Sequence, residues 1–249
     1  MAREMCYDCF WPRAHCWCPL LLPLETRTRF LFLMHPKEFK QEKAGTGRLT
    51  QRCLPNSSLH MGMEFDRHEA VAAILADPQY YPVLLYPGRE AINLSEAGAA
   101  GLPAAVGSRR LLVVMLDATW SGARKMLRLS PGLQRLPRIM FTAPGPSRYV
   151  IKHQPQEGCL STLEATHELL VLLDRAGLDR YDDPARLLGI FGRMQDFQLR
   201  CAADPARAGY RRKPYKTAAA RQPFRGASRS RRENYLQLPA AAHPAVTPG

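Results

Sequence analysis

Leu111 to Leu116 is a run of six apolar residues with no polar interruption, and Asp117 follows it directly. A strand with one face in water alternates apolar and polar residues; an unbroken run of this length marks a strand covered on both faces. Such a strand needs helices above and below it, which points to an α/β chain built on a mostly parallel sheet. Thr28 to Met34, Val83 to Tyr86 and Arg138 to Thr142 read as further strands, and Tyr149 to Ile151 as a short additional one. Helices are predicted over residues 37–54, in pieces broken by Gly45 and Gly47, and over Arg67 to Ala76 and Ser121 to Leu129. Ser161-Thr162-Leu163-Glu164 has the spacing of a capping box opening an apolar helix through Leu173. Asp183-Pro184 opens the last helix, whose apolar face is Leu187, Leu188, Phe191, Met194 and Phe197.

The chain has 249 residues, enough for one large domain with appendages and an ample core. With 46% hydrophobic and 23% charged residues its composition is that of a globular protein. No apolar run approaches the ~18 residues of a membrane-spanning helix. Cys6, Cys9, Cys16 and Cys18 interrupt any apolar stretch at the N-terminus, so no signal peptide is expected and the expected compartment is the cytoplasm.

The net charge of +13 is unevenly placed. Residues 203–249 hold ten basic residues, Arg211, Arg212 and Lys213 among them, against Asp204 and Glu233. This proline-rich tail is expected to be largely disordered, and its Tyr210, Tyr215, Phe224 and Tyr235 suit stacking on unpaired bases. An excess of this kind favours RNA as partner over a purely solubilising role. The expected organisation is a Cys-rich module at 1–25, an α/β domain at 26–202 and the basic tail at 203–249.

Cys6-x2-Cys9-x6-Cys16-x-Cys18 places four thiols within thirteen residues. Zn²⁺ takes four thiolates in a tetrahedron, and Cys-x2-Cys supplies two from one tight turn. Zinc bound structurally by Cys6, Cys9, Cys16 and Cys18 is the expectation, an iron–sulfur cluster, disulfides or unrelated core thiols being the other readings. Cys53, Cys159 and Cys201 read as buried thiols.

Asp117 stands at the carboxyl end of its strand, where open α/β sheets bind their ligands. There a carboxylate can act as a base, hold a cation, accept from a ligand amine, or simply cap the following helix. Asp117-Ala118-Thr119-Trp120, the Cys cluster, His35-Pro36-Lys37-Glu38, Thr46-Gly47-Arg48-Leu49 and Leu160-Ser161-Thr162-Leu163-Glu164-Ala165 occur in the order seen in the DTW-domain family, which the chain resembles over about residues 4–200.

The resemblance implies a tRNA-uridine aminocarboxypropyltransferase, moving the 3-amino-3-carboxypropyl group of S-adenosylmethionine to N3 of a tRNA uridine and releasing methylthioadenosine. It also implies a SPOUT-like sheet, knotted in its C-terminal part. Asp117 is then the candidate base for the N3 proton, or the holder of the aminocarboxypropyl ammonium. Leu85, Pro87, Gly88, Leu116, Thr119, Trp120, Ser161, Thr162 and Glu164 are candidates for the S-adenosylmethionine pocket. Arg48, Arg109, Arg110, Arg124 and Lys125, with Arg211, Arg212 and Lys213 of the tail, are candidate RNA contacts. His35 reads first as a hydrogen-bonded structural residue. The expected partners are tRNA and S-adenosylmethionine, with no membrane and no obligate protein partner. The competing readings are a SPOUT-type methyltransferase and a non-catalytic, zinc-containing RNA-binding protein.

Overall fold

The computed structural model describes residues 4–41, 45–96, 101–151 and 159–204. The basic tail, with Arg211, Arg212 and Lys213, lies outside the described residues. Six strands form one sheet in the order β2-β1-β5-β3-β6-β4, and every pairing is parallel. The strands are β1 (Arg29–Met34), β2 (Ser57–Met61), β3 (Tyr80–Leu85), β4 (Ile92–Asn93), β5 (Arg110–Asp117) and β6 (Arg138–Met140). The unbroken apolar run becomes β5, at the sheet's centre between β1 and β3.

Alternation sorts the buried residues into two cores. Phe30 and Phe32 of β1 with Leu111, Val113 and Met115 of β5 face one side, where α2 (Thr46–Cys53), α4 (Gly101–Val106), α7 (Thr162–Arg175) and α8 (Ala185–Ala203) pack. Leu31 and Leu33 with Leu112 and Val114 face the other, under α3 (Glu69–Ala76), α5 (Trp120–Leu129) and the short α6 (Pro131–Gln134). Both faces of β5 are thus covered, as its composition requires. α1 (Pro36–Gln41) precedes α2. Among the described residues no helix is long and apolar enough to cross a membrane.

β4, α4 and α6 have no counterpart in the sequence expectation, and three further segments depart from it. β2 carries Ser57, Ser58 and His60 and shows no apolar run, because it is an edge strand with half-buried side chains. β3 begins three residues before Val83 and includes Pro82. In β3 the Leu84 and Tyr86 amides donate toward β6, to Pro137 and Ile139, so Pro82's missing N–H falls on the side where β6 has not yet begun. Tyr149 to Ile151 is not a strand: the Val150 amide donates to the Gln195 side chain at 2.6 Å, and the Tyr149 ring packs on Phe191 with centroids 5.2 Å apart.

Candidate functional site

The connections of the neighbouring strands β1 and β5 leave on opposite faces. β1 leads to α2 on one face, while its neighbour β5 leads to α5 on the other. Such a switch opens a crevice beyond the carboxyl ends of parallel strands. Asp117, the last residue of β5, sits there, paired with Met34, and its carbonyl accepts from the His35 amide at 3.0 Å.

The Asp117 side chain is buried, with 9% of its surface exposed. Its Oδ1 accepts from the Thr162 hydroxyl at 2.6 Å, and Thr162 is the first residue of α7. Gly47, in the first turn of α2, lies so close that a Cβ there would stand 2.1 Å from Asp117 Oδ2. Two helix N-termini therefore converge on this carboxylate, a placement favourable to negative charge. Arg48 follows Gly47. Its guanidinium lies between the rings of Phe10 and Phe39, 4.2 and 4.6 Å from their centroids, and donates to the Phe39 carbonyl. Burial draws the Arg48 pKa below its ordinary value, opposed by the negative charge of Asp117.

A cleft of about 270 Å³ opens at the carboxyl ends of β3, β5 and β6. Of the residues expected from sequence, Leu85, Pro87, Leu116, Trp120 and Thr162 line it. Gly88 does not; it lies beside the Arg138 side chain. Thr119 is the N-cap of α5, its hydroxyl accepting from the Gly122 amide at 3.2 Å. Ser161 and Glu164 form the expected capping box. Glu164 does more than cap: its carboxylate also accepts from Ser147 Oγ at 2.8 Å and from the Arg148 amide at 2.5 Å, tying the loop after β6 to α7. Tyr86, within the stretch from Leu85 to Gly88 expected at the pocket, also lines it, whereas Met115, Met140, Phe141 and Cys159 on the cleft wall have no counterpart in the sequence expectation. The ends of β5 and β6 carried the signal for Met115, Met140 and Phe141; Cys159 carried none. Trp120 is partly exposed, donates its indole N–H to Cys159 Sγ at 3.0 Å, and stands 6.2 Å from the Tyr86 ring.

The basic candidates separate. Arg124 and Lys125 lie on exposed positions of α5, which starts at the cleft. Arg109 and Arg110 lie at the opposite end of β5. His35 accepts from the Lys37 amide through Nδ1, consistent with a structural role.

The four N-terminal cysteines converge, with all four sulfurs within 4.8 Å of one another. The Cys6–Cys18 and Cys9–Cys16 sulfur pairs are 3.9 and 3.7 Å apart. Four thiolates about 2.3 Å from a central zinc lie about 3.8 Å from one another, so the set fits a single tetrahedral ion. An iron–sulfur cluster would stand between its thiolates as a larger body and hold them farther apart. Amides of Cys9 and Asp8 hold the Cys6 thiol down at about 6. The module is not separate from the body. Trp11 and Trp17 surround Phe197 of α8 at 5.5 and 5.8 Å, and Cys9, Trp11 and Trp17 join the core beneath the sheet.

A parallel α/β protein with a cleft at its strand ends, a buried strand-end carboxylate and a four-cysteine cluster is thus defined. Residues 3–199 match the DTW domain, and the chain belongs to that family. It is 34% identical over 178 residues to tRNA-uridine aminocarboxypropyltransferase 2 of Drosophila melanogaster, covering 69% of this chain and 67% of that protein. It is 31% identical over 180 residues to the mouse protein of the same name, covering 70% of this chain but 57% of that one. Identity to tRNA-uridine aminocarboxypropyltransferase A of Arabidopsis thaliana is 26% over 220 residues, covering 79% and 81% of the two chains. No solved structure matches the chain.

Proposed function

We propose that this chain transfers the 3-amino-3-carboxypropyl group of S-adenosylmethionine to N3 of a tRNA uridine. The observation that carries the reading is the buried Asp117 carboxylate, outside the cleft lining but bonded to Thr162 on the cleft wall, in a chain whose relatives are named for this transfer. In the reaction N3 attacks the methylene carbon next to the sulfonium, the carbon–sulfur bond breaks with its electron pair going to sulfur, and methylthioadenosine leaves. The sulfonium is already activated, so the protein's task is alignment and removal of the N3 proton.

Leu85, Pro87, Leu116, Trp120 and Thr162 form the donor's cleft, with Tyr86 and Trp120 offering aromatic faces. The first amides of α7 lack intrahelical partners and suit the donor carboxylate. Thr119, Ser161 and Glu164 act from behind the wall by fixing α5, α7 and the loop after β6, and Gly88 keeps space for Arg138. Asp117 takes the N3 proton. A second assignment, supported by the Thr162 hydroxyl at 2.6 Å and the adjacent α7 N-terminus, has Asp117 hold the donor ammonium while that helix holds the donor carboxylate. Cys6, Cys9, Cys16 and Cys18 hold a structural zinc ion, which leaves no open position for substrate.

Incubation with unmodified tRNA and carboxyl-labelled S-adenosylmethionine tests the reaction. Labelled aminocarboxypropyluridine and methylthioadenosine are expected; adenosylhomocysteine means methyl transfer instead, and no donor binding by calorimetry means a non-catalytic protein. Asp117→Asn separates the two assignments: a base predicts lost turnover with donor affinity kept, an ammonium holder predicts lost donor affinity. Full activity in this variant removes both.

A further inference from the structure

Between residues 97 and 156 the chain carries nine Lys and Arg and one acid, the buried Asp117. Five of these cations lie on α5 or at the start of β5. Arg124, Lys125 and Arg128 occupy exposed positions on α5, which begins at Trp120 on the cleft and runs back along the sheet from the end of β5. At the other end of the sheet, Arg109 and Arg110 open β5 beside Arg27 and Arg29 at the start of β1.

That far end is built as well as charged. The guanidinium carbons of Arg29 and Arg110 stand 5.2 and 5.6 Å from the centroid of one ring, Tyr80, on the face that α5 covers; that of Arg109 stands 4.6 Å from Tyr81 on the opposite face, where the Arg109 guanidinium donates to the Ala105 carbonyl at 3.0 Å. Arg110 Nε donates to the Arg27 carbonyl at 3.1 Å, joining the two strand starts. Arg27, Arg109 and Arg110 are exposed and Arg29 is half-buried. Among the described residues none of the four forms an ion pair. The nearby Asp77 carboxylate accepts from the Gln79 amide instead. Arg27, Arg29 and Arg110 thus bring three positive charges together, while the adjoining Asp179 carboxylate accepts from the Arg27, Thr28 and Arg180 amides; an arriving anion relieves the repulsion among the three. Planar guanidinium groups laid on tyrosine rings keep edge donors for phosphate oxygens.

Arg110 and Asp117 are seven residues apart on one strand, about 23 Å at about 3.3 Å per residue. A nucleotide in the cleft cannot touch both ends; a folded RNA can. We infer that Arg27, Arg29 and Arg110, gathered at Tyr80, form a second RNA-backbone contact that grips a structured part of the acceptor RNA remote from the target uridine. This rests on the RNA-substrate reading above and adds its extent: the substrate is selected as a folded body, with the α5 cations between its two points of contact.

The test compares full-length tRNA with a stem-loop carrying only the uridine that nucleoside mapping identifies, using the intact protein and the variant Arg29→Gln/Arg110→Gln. Affinity for full-length tRNA is expected to fall about tenfold near 0.15 M salt, and the slope of log K against log salt to lessen by about 1–2. Stem-loop affinity, S-adenosylmethionine affinity and the thermal midpoint are expected to stay put. Unchanged tRNA affinity and slope overturn the inference, as does equal loss on the stem-loop. Arg27→Gln leaves the main-chain acceptor in place and gives a second reading: a severalfold loss on full-length tRNA supports the contact and no loss opposes it. Polyglutamate competing as well as tRNA would assign the patch to an acidic protein. If the double variant loses tRNA affinity while the parent protein modifies no tRNA, the transfer reading fails and the contact stands.

Discussion

Gly47 gives access to the Asp117 carboxylate from outside it. Alanine is the better helix former by about 1 kcal/mol, so Gly47→Ala in the first turn of α2 should stabilise a helix with room for it. There is no room. The new Cβ would stand 2.1 Å from Asp117 Oδ2, 2.5 Å from its Cγ and 3.0 Å from its Oδ1. The carboxylate must then retreat by roughly 1 Å to restore a van der Waals contact. That movement breaks the 2.6 Å bond from Thr162. Overpacking costs about 1–3 kcal/mol and loss of a hydrogen bond to a charged group about 1.5–3 kcal/mol. Against the helix gain, the net loss is about 2–5 kcal/mol, or about 4–20 °C in thermal midpoint for a chain of this size. Turnover should fall about 100-fold or more even at temperatures where the variant is folded, because the strand-end carboxylate is displaced by about an ångström. Gly192→Ala in α8, with nothing within 4 Å of the new carbon, is the control and should be neutral or stabilising. Thermal denaturation and single-turnover transfer assays on both variants read the two effects. A Gly47→Ala protein as stable and as active as the parent would refute the close approach of α2 to Asp117.

Three further outcomes follow from other parts of the molecule. Native protein should carry about one zinc per chain by elemental analysis; Cys9→Ser or chelation should release it and unpack Trp11, Trp17 and Phe197, seen as a red-shifted tryptophan emission, whereas a protein without stoichiometric metal contradicts the module. Glu164→Gln should cost about 1.5–3 kcal/mol in urea denaturation, because a neutral amide cannot accept from Ser147, Arg148 and Ser161 together; an unchanged midpoint would show that the clamp on the loop after β6 carries no stability. Burial holds the His167 imidazole below its ordinary value of 6.5, with Arg148 adding to this and Glu164 opposing it. The unfolded chain therefore takes up a proton that the folded chain resists, so this group's contribution is complete above about pH 6.5 and is lost as pH falls toward the folded pKa. Urea midpoints between pH 5 and 8 should show this decline in the parent and lose that part of it in His167→Gln.

How much was legible in the sequence depends on whether a residue's partners lie near it in the chain. Leu111 to Leu116 announced a strand buried on both faces because burial acts on each residue singly, and Ser161 with Glu164 announced a helix start because a capping box closes within four residues. β2 was missed because an edge strand with polar side chains has no local signature, and its pairing with β1 was decided by chain 23 residues or more away. Arg48 is a candidate RNA contact in the sequence; its neighbours in space, Phe10 and Phe39, come from the cysteine-rich turn and a separate helix. Arg48 thereby joins the module at Cys9 to the helix that abuts Asp117, and the four-thiolate turn is physically continuous with the strand-end site. The same argument bears on Arg109 and Arg110. In sequence they lie as near to Asp117 as Arg124 and Lys125 do, and one group of cations around one site was the natural reading. A strand carries its ends apart at about 3.3 Å per residue, while a following helix folds back at about 1.5 Å per residue, so equal spacing in the chain becomes unequal distance in space. The cations on α5 stay near the cleft, and those at the start of β5 are carried to the far end of the sheet, where Tyr80 and the start of β1 gather Arg110 into a surface of its own.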